Sequence, residues 1–81
     1  MVTFRFTVTA HRQFEKFDPQ TQQRIIKKLQ ELKEYPSIHT VLEPLQNLEP
    51  ATHRLRIGEY RLLLSQQETI CIIQKIAHRR D

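Results

Sequence analysis

Hydrophobic and polar residues alternate strictly at the start of the chain. Val2, Phe4, Phe6 and Val8 fall on one side, and Thr3, Arg5, Thr7 and Thr9 on the other. A period of two in β-branched and aromatic residues predicts a half-buried strand over residues 2–9. The period then lengthens. Thr9 is suited to cap a short helix over 10–17, with Phe14 and Phe17 three apart on one face, and Asp18 before Pro19 ends it. The same Asp-Pro pair opens a second helix over 19–34, a capping residue followed by proline in the first turn. Its apolar stripe is Ile25, Ile26, Leu29 and Leu32, with Lys27, Lys28, Glu31 and Glu34 on the other side. Residues 36–51 hold Pro36, Pro44 and Pro50 and read as an ordered loop with one turn of helix, anchored by Val41, Leu42, Leu45 and Leu48. Strand patterns return at 53–57, 60–65 and 69–78. The order β-α-α-β-β-β predicts an α+β fold in a single domain over residues 1–81: a helical hairpin packed on a mainly antiparallel four-stranded sheet.

The one glycine sharpens this outline. Ile57-Gly58-Glu59-Tyr60 has glycine at the first central position, as a two-residue type II′ hairpin requires. That turn sets Ile57 against Tyr60, Arg56 against Arg61, Leu55 against Leu62 and Arg54 against Leu63. One face of the ribbon is then apolar and turned to the helices. Arg54, Arg56 and Arg61 converge on the other. Like charges in opposed positions destabilise a sheet, so the arrangement favours an anion site over a merely solvated face. A three-residue loop at 66–68, pairing Ser65 with Thr69, would add Cys71, Ile73, Lys75, Ala77 and Arg79 to the arginine side. A slip of one residue would exchange the two faces.

Charge supports the same end of the chain. The 81 residues carry 13 Lys and Arg against 9 Asp and Glu, a formal charge of +4, of which residues 53–81 supply +3. A basic chain of this size points to an acidic partner, nucleic acid first. A single cysteine excludes an intrachain disulfide framework and a cysteine-rich zinc module, and fits a reducing, cytoplasmic setting. No apolar run is long enough to span a membrane, and no signal peptide precedes the charged opening. One glycine excludes a Gly-rich phosphate loop. No pair of histidines has metal-ligand spacing, and nothing in the sequence calls for a metal or other cofactor.

The block from His53 to Leu64, read as H-R-L-R-I-G-E-Y-R-L-L-L, followed by a strand ending I-A-H-R-R-D at 76–81, resembles the RelE/ParE superfamily of bacterial type II toxins. That family's pattern is an aromatic residue or His, then R-x-R-x-G-[DE]-Y-R, an apolar strand and a closing I-x-H-R. The opening strand and the helical hairpin fit as well, so the resemblance spans the whole chain. It implies a toxin held inactive by a cognate antitoxin. In the RelE branch it implies an endoribonuclease that cuts messenger RNA in the ribosomal A site without a metal, by attack of the 2′-hydroxyl on the adjacent phosphate. Carried over by position, Arg54, Arg56, Arg61 and Arg79 are the implied catalytic residues, and Lys75, His78 and Arg80 join them as RNA and phosphate contacts. The tyrosine that active relatives place beyond the H-R element has no match among Tyr35 and Tyr60, which implies a trimmed chain, a weakened toxin, or His78 or another group in its role. ParE-type relatives share the fold and poison DNA gyrase instead. The third alternative is a weakened toxin that mainly binds its antitoxin.

Other singled-out residues take plainer roles. Cys71 is expected as a small core hydrophobe, and Tyr60 as a core residue under the hairpin. His11 and His39 are expected at the surface, and Lys27 and Lys28 on a solvated helix face, with antitoxin or ribosomal RNA contact as the alternative.

Overall fold

The computed structural model describes residues 2–35 and 38–78. Strand β1 (Thr3–Phe6) leads into helices α1 (Val8–Glu15) and α2 (Pro19–Lys33). A 3₁₀ turn at Ile38–Thr40 precedes β2 (Glu43–Pro44), and β3 (His53–Ile57), β4 (Tyr60–Gln67) and β5 (Ile70–His78) complete the chain. The sheet order is β1-β5-β4-β3-β2. Only the β1–β5 pair is parallel; two helices and three strands separate these neighbours along the chain, and the other pairs are antiparallel. The α+β hairpin-on-sheet architecture is as expected, with five strands rather than four. The extra one, β2, is two residues long and pairs Glu43 with Arg54 and Pro44 with His53. So short a segment, with a proline in it, has no period for a pattern to reveal.

Strand β1 is shorter than its alternation, and α1 starts two residues earlier than expected. Thr7, not Thr9, is the N-cap, its hydroxyl accepting from the Ala10 backbone N–H at 3.1 Å. The same hydroxyl donates to the Gln74 carbonyl at 3.2 Å. Threonine serves both a strand and a cap, so the alternation alone could not mark the change. Val8 consequently begins the helix and is 69% exposed instead of facing the core. At the corner between the helices, the Gln22 side-chain amide donates to the Phe14 and Phe17 carbonyls, both at 3.1 Å. The Phe14 carbonyl, in the last turn of α1, also accepts the Phe17 backbone N–H at 3.1 Å, and the Phe17 carbonyl lies in the link between the helices.

Ile25, Leu29 and Leu32 of α2 and Ala10 of α1 bury against Leu55, Ile57, Leu62, Leu64, Cys71, Ile73 and Ile76 of the sheet. Phe6 meets Phe14 edge-on at 5.4 Å, and Phe17 packs on Tyr60 at 4.9 Å. Ile26 stands at the margin of its stripe, 39% exposed. In the 38–51 segment Leu42 is buried, whereas Leu48 is exposed and anchors nothing. The helices cover one face of the sheet and leave the arginine face open.

Candidate functional site

The hairpin at Gly58 has the expected register: Ile57 opposite Tyr60, Arg56 opposite Arg61, Leu55 opposite Leu62, Arg54 opposite Leu63. Gly58 has φ +58, a conformation that a side chain makes costly. The second hairpin differs from expectation. Its loop is two residues, with Gln67 paired to Ile70 and Glu68 at φ +53. Between Leu63 and Leu64 the register of β4 on β5 shifts, which leaves Gln74 as an extra residue on β5. This bulge inverts the faces along β5. Lys75, opposite Leu63, and Ala77, opposite Arg61, share the arginine face. Cys71 and Ile73 do not; both are fully buried in the core. Ile76 also faces the core, and its backbone N–H donates to the Gln13 side chain at 2.7 Å. Beyond Phe6 there is no β1 left to accept it.

The open face thus carries Arg54, Arg56, Arg61 and Lys75. Arg54 is paired with the Glu43 carboxylate of β2. The hydrogen bond and charge of Arg54, with weaker contributions from Arg56 and Arg61, hold the Glu43 carboxyl below the usual carboxylate range. Among the described residues no carboxylate forms an ion pair with Arg56 or Arg61. The Nε groups of Arg54 and Arg61 are buried without an acceptor among the described residues. A buried unmet donor costs about 1–3 kcal/mol, and an opposed like-charged pair adds a fraction of one more. Stability alone does not select such a face. A cleft of about 150 Å³, lined by Arg56, Gly58, Glu59 and Arg61, opens beside the opposed pair. Two guanidinium forks fixed on a rigid hairpin suit a phosphate, and suit still better the extra charge of its pentacoordinate state.

His78 reaches this cleft indirectly. It pairs with Tyr60, on the helix side of the sheet, its ring edge-on to that tyrosine at 5.2 Å. Its Nε2 lies 3.3 Å from the Glu59 carboxylate, and Glu59 lines the cleft. Arg79 and Arg80 lie outside the described residues. Burial raises the Cys71 thiol pKa, which removes any claim to a reactive thiolate. Among the described residues no cluster of three or more His, Cys, Asp or Glu is placed to hold a metal ion, and no helix is long and apolar enough to cross a membrane.

Arg24 is the cation that the pattern reading missed. It projects from α2 over the hairpin, so that a Cβ on Gly58 would stand 3.5 Å from its Nη1. With Lys27, Lys28 and Arg56 it lines a second cleft of about 390 Å³. The signal was present as three cations at i, i+3 and i+4 on one helix face. What the pattern lacked was the placement of that face beside the hairpin.

A small α+β domain with guanidinium groups opposed across an open hairpin is the class that this fold and site define. No protein-family model matches the sequence, and no curated protein gives a significant match. Solved structures do match. A chain of the RelBE2 toxin-antitoxin complex from Mycobacterium tuberculosis is 32% identical, with a TM-score of 0.80 over 100% of this chain and 97% of that one. The intact E. coli RelBE complex matches at 20% identity and TM-score 0.69, over 96% of both chains. The RelB-RelE complex from Methanococcus jannaschii matches at 18% and 0.70, over 94% of this chain and 91% of that one. The last two establish the fold; the first, at its identity and coverage, establishes the family. The chain belongs to the RelE family of type II toxins.

Proposed function

We propose that this toxin is a ribosome-dependent endoribonuclease that cuts messenger RNA in the A site, acting in the cytoplasm and held inactive by a cognate antitoxin. The observation that carries this reading is the opposed pair Arg56 and Arg61 beside a cleft of phosphate size. Arg56 and Arg61 hold the non-bridging oxygens of the scissile phosphate, and Arg54 and Lys75 add positive potential on the same face. The 2′-hydroxyl oxygen attacks the adjacent phosphorus and gives up its proton. The bond to the 5′-oxygen breaks, that oxygen takes a proton, and a 2′,3′-cyclic phosphate and a 5′-hydroxyl remain. Glu59 lines the cleft and supplies a carboxylate for proton transfer, with the His78 imidazole 3.3 Å behind it. Arginine suits the remaining work because it stays charged throughout and adds no proton of its own. The antitoxin belongs to the proposal because three of the structures that match are toxin-antitoxin complexes, and an acidic partner complements a chain of charge +4.

Primer extension on translating ribosomes tests the reading. Antitoxin-free wild type leaves A-site cuts, and Arg61→Ala, folded by circular dichroism, loses them by about 100-fold or more. Uncut messages with folded wild type overturn the enzyme. Inhibition of DNA gyrase supercoiling in place of cutting would reassign the toxin to the gyrase-poisoning branch.

A further inference from the structure

The second cleft meets the first at the hairpin, where the two share Arg56 and Gly58. Its walls are Arg24, Lys27, Lys28 and Glu31 of α2 against Arg56 and Gly58 of the hairpin, with Ile57 the one apolar contributor. Arg24 stands three and four residues before Lys27 and Lys28, so like charges occupy adjacent positions on one helix face. Such spacing destabilises a helix. Glu31 relieves only part of it, with its carboxylate 3.9 Å from Lys28 Nζ. Among the described residues no ion pair is made by Arg24 or Lys27. The Arg24 side chain lies over the turn, its Nη1 3.5 Å from where a Cβ on Gly58 would stand.

We propose that this α2–hairpin cleft is a second phosphate subsite, which holds the RNA backbone next to the phosphate to be cut. The inference rests on the RNA-cutting reading and extends it. Arg56 spans both clefts, so a single strand crossing the sheet at Arg56 and Arg61 runs on over the turn toward Arg24 and Lys27. The ligand chemistry is a phosphodiester chain. The cleft is walled by cations and has no aromatic side chain on which a base could stack, so it grips backbone. An acidic protein segment is the competing occupant. The shared Arg56 favours RNA, because successive phosphates of one strand are bound to follow one another from cleft to cleft.

Fluorescence anisotropy with a labelled 2′-O-methyl RNA dodecamer, which binds but has no free nucleophile, tests the subsite across a salt series. Wild type, Arg61→Ala and the double variant Arg24→Ala/Lys27→Ala are compared, each verified as folded by its melting curve. Both variants bind about tenfold more weakly, and each lowers the slope of log affinity against log salt by about 0.7 for every phosphate no longer neutralised. The double variant weakens by the same factor on dodecamers of different base composition. If Arg61→Ala weakens binding and the double variant leaves affinity and slope unchanged, the subsite is overturned while the RNA reading stands. If that double variant loses affinity for the antitoxin instead, the cleft belongs to the protein partner. No binding by folded wild type overturns the subsite, while the cutting claim is judged by primer extension on ribosomes.

Discussion

Arg56 and Gly58 show how much a single position carries. Arg56 is exposed, faces another arginine and lines both clefts. Its replacement by threonine removes the like-charge contact and installs a good strand former. Arg56→Thr is therefore expected to raise stability by about 0.5 kcal/mol in urea denaturation, while abolishing A-site cutting. A variant that is less stable would show that Arg56 supports the fold. Gly58 acts through the backbone. A methyl group there meets only the far end of the Arg24 side chain, at ordinary contact distance. The penalty lies in φ +58, and Gly58→Ala is expected to lose about 1 kcal/mol or more in the same measurement. Both residues were legible in the sequence, because one glycine in an apolar ribbon admits one turn and the turn fixes the cross-strand partners. Arg24 was not, since its role depends on where α2 crosses the hairpin.

At the scale of elements, legibility followed local chemistry. The span of α2 was readable from its Asp-Pro start and its apolar stripe, and the structure ends it at Lys33. The end of β1 was not, because threonine serves equally in a strand and at a cap. Thr7 both caps α1 and reaches the Gln74 carbonyl of β5, so it fastens the helix to the bulge. Thr7→Ala is expected to lower stability by about 1–2 kcal/mol; a neutral result would show that water replaces both bonds. The β4–β5 pairing was the least legible element. A two-residue turn with a left-handed glutamate and a bulge at Gln74 carry no local signature. Yet that bulge decides which residues of β5 reach the site. It keeps Lys75 beside the arginines while returning Cys71 and Ile73 to the core.

Across the whole molecule, one sheet separates two tasks. The face under the helices holds the fold, and the open face concentrates positive charge. A chain of this length buries only about 60% of its unfolded surface, so destabilising features on the open face matter to its survival, and a partner that binds only the folded state stabilises it by linkage. Acid should test the Glu43 carboxylate, which steadies this face by pairing with Arg54. The Glu43 pKa is depressed in the fold below its ordinary 4.5. Its contribution is complete above that value and is lost as pH falls through the lower folded value. Between pH 6 and pH 3 the melting temperature of wild type is expected to fall more than that of Glu43→Gln. Parallel curves would assign acid sensitivity to other groups, among them Asp18, whose carboxyl is lowered by the Thr21 hydroxyl.

The central claim is that the arginine cleft directs a 2′-hydroxyl onto its neighbouring phosphate. One measurement tests it most directly: cleavage of a message carrying a single 2′-deoxynucleotide at the mapped cut position, programmed into the ribosomal A site beside an all-ribose control. Wild-type toxin is expected to cut the control and spare the deoxy position. Cutting at the deoxy position, or no cutting of the control by folded toxin, would contradict the account.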